Sequence, residues 1–78
     1  MNKQIILNCL KYKLESLEWQ LNYDKIEAAW LWDRCDKSKP ATTAEYYIEY
    51  KKYKNRIRST QAKLKAVRET IRQVKKLK

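Results

Sequence analysis

The chain has 78 residues and a mass of 9.5 kDa, with 19 Lys or Arg against 9 Asp or Glu, no His, no Gly and one Pro. A chain this short forms one domain at most and buries only about 60% of the surface its unfolded form exposes; the lack of Gly for tight turns argues against a sheet and for an all-α fold. The formal net charge of +10 opposes compaction and calls for an anionic partner, while the absence of His and of any Cys-x-x-Cys spacing argues against a metal site or cofactor.

In chain order, the first apolar run, Ile5 to Leu10 interrupted by Asn8, is too short for a signal sequence or a membrane span. A cytoplasmic protein without a membrane span is the expectation. Leu7, Leu10, Leu14, Leu17, Leu21, Ala28, Leu31 and Cys35 then recur in alternating steps of three and four, with Asp24 at the one polar position. That is a heptad seam, and it predicts a first helix over about residues 2–35. Asp24 needs a hydrogen-bonding partner if buried, and Thr60, Tyr53 and Arg56 are the candidates across the seam. A second stripe on the same helix, Ile5, Cys9, Tyr12, Trp19, Tyr23, Ile26 and Trp30, lies on the side away from the leucines. Four of its seven members are Tyr or Trp, so it exceeds the bare apolar patch of an ordinary monomer and predicts a protein interface at Tyr12, Trp19, Tyr23, Ile26 and Trp30. Cys9 and Cys35 stand on the same helix, about 39 Å apart at 1.5 Å per residue, too far to pair within one chain.

The breaker segment Asp36 to Glu45 contains Pro40 and predicts a turn over about residues 36–42. Thr42-Thr43-Ala44-Glu45 has the form of a capping box, which sets the second helix at about residues 43–77. Its seam is Tyr46, Tyr50, Tyr53, Ile57, Thr60, Leu64, Val67, Ile71 and Val74. One short connection makes neighbouring helices antiparallel, so the two seams should zip into a single helical-hairpin domain, with facing residue numbers summing to about 81 and Leu17 opposite Leu64. This architecture resembles one protomer of the plasmid copy-number regulators of the Rop type, in which two helical hairpins form a four-helix bundle. The resemblance is one of shape, and implies a homodimer without transferring functional residues.

Residues 51–78 hold twelve Lys or Arg against one acid, Glu69. Lys51, Lys54, Arg58, Gln61, Lys65, Arg68, Arg72 and Lys75 follow one line beside the seam, cationic at all but Gln61 and about 36 Å long. Solvated helix faces mix signs, because opposite charges at i,i+4 stabilise a helix and like charges do not. The helix dipole favours cations only in the last turn. Evenly spaced cations match a phosphate backbone instead. Two functions compete on these grounds. One is a nucleic-acid-binding accessory protein that makes non-specific backbone contacts through Lys51, Lys54, Arg58, Lys65, Arg68, Arg72 and Lys75. The other is a protein-binding inhibitor or adaptor whose basic line covers an acidic or nucleic-acid-binding surface and whose aromatic stripe anchors it. Small, Gly-free, Lys-, Asn-, Ile- and Tyr-rich chains resemble phage and plasmid accessory proteins, which for the second function implies a host nucleic-acid-handling or defence complex as the target, in the manner of an anti-CRISPR. No catalytic residue is expected, because neither a nucleophile–base pair nor a phosphate loop can be assembled.

Overall fold

The structure, a computed structural model, describes residues 2–35 and 39–77. It consists of two α-helices, α1 over Lys3–Cys35 and α2 over Pro40–Lys75, packed against each other along their lengths. Among the described residues there is no strand, so the all-α hairpin expected from the two seams is present.

Each helix end can be traced to a named group. Asn2 caps α1: its side-chain oxygen accepts the Gln4 amide at 2.8 Å and its carbonyl accepts the Ile6 amide at 3.2 Å, satisfying two of the donors a helix start leaves unpaired. The start of α2 corrects the sequence reading. The helix begins at Pro40 rather than at Thr43, with Lys39 as its extended N-cap (φ −63°, ψ 154°) and no side-chain capping bond, so Thr42 and Glu45 lie inside the helix and form no capping box. Pro explains the difference. Its fixed φ is already helical, its missing N–H is not needed in the first turn, and it drives the preceding residue into the extended region. Of the turn expected at 36–42, residues 40–42 are therefore helical and 36–38 lie outside the described residues. Thr43, now within α2, donates its hydroxyl to the Cys35 carbonyl at 3.0 Å and so closes the last turn of α1. At the far end α2 stops at Lys75 and tightens, with Lys76 N–H bonded to the Gln73 carbonyl at 3.1 Å and Leu77 N–H to the Val74 carbonyl at 3.0 Å. Lys3, from the first turn of α1, places its ammonium on the carbonyls of Lys75 at 3.0 Å and Leu77 at 2.6 Å. A cation on unpaired C-terminal carbonyls is favoured by the helix dipole.

The antiparallel register follows from cross-helix contacts. Cys35 with Thr43, Trp32 with Tyr50, Asp24 with Arg56 and Lys3 with Lys75 step along the two helices in opposite directions, each pair within three of the expected sum of 81. Every position of both seams is buried or half-buried. The best covered are Leu7, Leu17, Ala28, Leu31, Ile57, Leu64 and Val74.

The polar seam position is satisfied. Asp24 is fully buried (0% exposed), and its carboxylate takes the Arg56 guanidinium at 3.2 Å and the Gln20 side-chain amide at 3.2 and 3.3 Å. Of the three partners expected, Arg56 is the one engaged directly. Tyr53 acts through it, its ring lying under the guanidinium at 5.1 Å. Gln20, one turn before Asp24 on the same helix, was not anticipated.

The hairpin is a rod of 60 × 14 × 14 Å between Cα extremes, with a radius of gyration of 17.6 Å. A compact domain of this length would have a radius near 11.5 Å (about 2.2·N^0.38). Its accessible surface is 6282 Å², roughly 1,200 Å² more than the about 5,050 Å² typical of a folded monomer of this mass. Two helices cover only one face of each other, and the excess is what remains uncovered.

Candidate functional site

Because α2 is continuous from Pro40 to Lys75, its three- and four-residue steps bring Lys51, Lys54, Arg58, Lys65, Arg68, Arg72 and Lys75 onto one flank, and all seven are exposed. The line is not uniform. Arg68 reaches across to Glu18 of α1 at 3.5 Å, and Arg72 pairs with Glu69 at 3.3 Å. Lys51, Lys54, Arg58, Lys65 and Lys75 form no ion pair among the described residues. The half of the line nearer the connection therefore carries unneutralised charge, while the arginines of the other half are partly held by carboxylates. Glu18 escaped the sequence reading because only the packed register brings it beside Arg68.

The aromatic stripe of α1 is exposed in the single chain. Tyr12 is 76% and Trp19 67% exposed, and Ile5, Tyr23, Ile26 and Trp30 are also open to solvent; Cys9 on the same stripe is exposed as well. Trp19 and Tyr23 stack with ring centroids 5.8 Å apart. Trp30 meets Tyr46 edge-on at 6.0 Å, with the Arg34 guanidinium over its ring at 4.7 Å. The upper end of the stripe thus turns partly toward α2 and the rest faces outward.

The packing also assembles a second aromatic group that sequence spacing missed. Trp32 of α1 lies against Tyr50 of α2 at 5.0 Å, and Tyr47 lies against the same Tyr50 at 6.1 Å. Tyr50 is a half-buried seam residue, whereas Trp32 and Tyr47 are 51% and 45% exposed. With Lys51, Lys54, Asn55 and Arg58 they line an open hollow of about 290 Å³. Trp32 falls one residue after the seam position Leu31, so by periodicity it belongs to neither stripe. The signal that could have found it was the register itself, which sets Trp32 opposite Tyr50 and beside the start of the basic line.

Among the described residues, no three His, Cys, Asp or Glu side chains come close enough to hold a metal ion, and no helix is long and apolar enough to cross a membrane. No family model, curated protein or solved structure matches the chain.

Proposed function

We propose that the protein is a small, non-enzymatic nucleic-acid-binding protein that lays a phosphate backbone along the basic flank of α2 and dimerises through the aromatic stripe of α1. The observation that carries this reading is the line of seven exposed cations, five of them without a carboxylate partner among the described residues. Unneutralised Lys and Arg at regular spacing gain affinity for a polyanion by releasing its condensed counterions. Such contacts position the protein without reading sequence. The dimer is supported by the excess surface of the rod, roughly 1,200 Å², which is more than the about 800 Å² a standard interface removes from each partner. Packing two α1 faces together would give a four-helix bundle and add core that one hairpin lacks.

The exposed stripe also favours a second reading, in which its Tyr and Trp anchor the chain on a different protein whose acidic surface takes the basic line. One experiment separates the two. Replacing Arg58, Lys65, Arg68 and Arg72 by Gln should leave helicity intact and flatten the dependence of log K on log salt by about 0.9 per lost contact on duplex DNA or about 0.7 on single strands. Parent protein that binds neither DNA nor RNA at low salt, where electrostatic attraction is strongest, would refute nucleic-acid binding and leave the protein partner.

A further inference from the structure

The hollow at the connection end combines two kinds of group that rarely meet on a solvated helix surface. Exposed rings of Trp32 and Tyr47 are held in place by the half-buried Tyr50, and Lys51, Lys54 and Arg58 rise beside them without ion pairs among the described residues. Tyr47 stands one helical turn before Lys51 on the same flank, so the rings continue the basic line rather than interrupt it. A purely carboxylate-rich surface would use the cations and give the rings no face to stack on. A duplex would do the same, since its bases are already stacked on each other and present only phosphates to a flat surface.

A single strand uses both: an unpaired base has a free face to stack on an aromatic ring, while the phosphates on either side meet Lys and Arg. We infer that this hollow is a base-stacking site for single-stranded nucleic acid, with Trp32 and Tyr47 taking bases and Lys51, Lys54 and Arg58 taking the flanking phosphates. The inference rests on the phosphate-binding reading of α2 and narrows it from nucleic acid in general to unpaired strands. Tyr50 is a positioning residue, since its ring backs both Trp32 and Tyr47.

The test uses three labelled probes of equal length: oligothymidylate, an abasic deoxyribose-phosphate strand, and a duplex, with binding followed by fluorescence anisotropy. Parent protein should bind oligothymidylate at least on the order of tenfold to a hundredfold more tightly than the abasic strand, the range for a single stacked base, with a second base on the other ring adding to it. The double variant Trp32→Ala, Tyr47→Ala should bring oligothymidylate down to the abasic level, with duplex affinity and the salt slope unchanged. Trp32→Phe with Tyr47→Phe should restore most of the preference. Should the alanine pair lose helicity, Tyr47→Ala alone carries the test, because its ring is nearly half exposed. Equal affinity of the parent for oligothymidylate and the abasic strand would overturn the stacking site while leaving phosphate binding in place. Failure to bind any of the three probes would instead refute the reading of the basic line on which the site depends.

Discussion

Between Asp24 and the connection, the seam sets Ala28, Leu31 and Cys35 against Tyr46, Tyr50, Tyr53 and Ile57. From Asp24 to the termini it sets Leu7, Leu10, Leu14, Leu17 and Leu21 against Thr60, Leu64, Val67, Ile71 and Val74. The surfaces differ in the same way. Toward the connection, Trp32 and Tyr47 are gathered beside Lys51 and Lys54, which form no ion pair among the described residues; toward the termini, Arg68 and Arg72 have carboxylates and Lys3 ties α1 to the end of α2. Chain connectivity explains the contrast. Near the connection the helices are kept together by a short link whose closure costs little entropy, so that half can spend its side chains on the surface. At the open end nothing covalent holds them, and aliphatic packing with ion pairs must do so.

The contrast is most severely tested at Leu64, which is only 2% exposed. Leu64→Ala should destabilise the protein by about 2–5 kcal/mol, whereas Cys35→Ala in the other half, at a half-covered position, should cost under about 1 kcal/mol. Urea unfolding followed by circular dichroism at one fixed protein concentration would compare them; equal losses would mean the two halves contribute alike.

At the boundary the partners of the Asp24–Arg56 pair are not equivalent. Arg56→Ala leaves a fully buried carboxylate with only Gln20, and should cost about 2–3 kcal/mol. Asp24→Leu completes the leucine seam and releases an arginine whose side chain is already 52% exposed, so stability should stay within about 1 kcal/mol of the parent or rise. A larger loss for Asp24→Leu than for Arg56→Ala in the same urea titration would show that the carboxylate, not its neutralisation, holds the register.

The smallest effect concerns the two halves of the basic line. Replacing Lys51, Lys54 and Arg58 by Gln should reduce the salt slope on single strands by about 2, at about 0.7 per contact. Replacing Lys65, Arg68 and Arg72 should reduce it less, because Glu18 and Glu69 already offset two of those charges. Anisotropy titrations at several salt concentrations give both slopes, and identical slopes would mean that the carboxylates swing away when the strand arrives.

Much of this organisation was legible in the residues, and what was not has a physical cause. Strict three- and four-residue steps fixed both seams, since only a helix makes Leu7 and Cys35 share a side, and one breaker segment fixed the antiparallel pairing. Pro40 marks the end of one helix plainly, whereas its second property, a φ suited to starting another, adds no local pattern to the sequence. Trp32 and Tyr47 were overlooked for a different reason. Each is a single aromatic among charges on its own helix, and they become a group only when packing sets them against Tyr50. Glu18 and Gln20 are hidden for related reasons, one needing the register to meet Arg68 and the other reaching Asp24 along its own helix rather than across the seam.

The exposed thiol of Cys9 makes the proposed dimer chemically readable. If two copies meet along the stripe from Ile5 to Trp30 and run antiparallel, Cys9 of each faces Ile26 of the other, and the two sulfurs lie on the order of 25 Å apart at 1.5 Å per residue. If the copies run parallel, the two thiols sit side by side within reach of a disulfide, whose Cα atoms must approach to about 4.4–6.8 Å. Mild oxidation with Cys35 replaced by Ala would then give a covalent dimer on a non-reducing gel in the parallel arrangement and only monomer in the antiparallel one, so a single cysteine reports the polarity of the whole assembly.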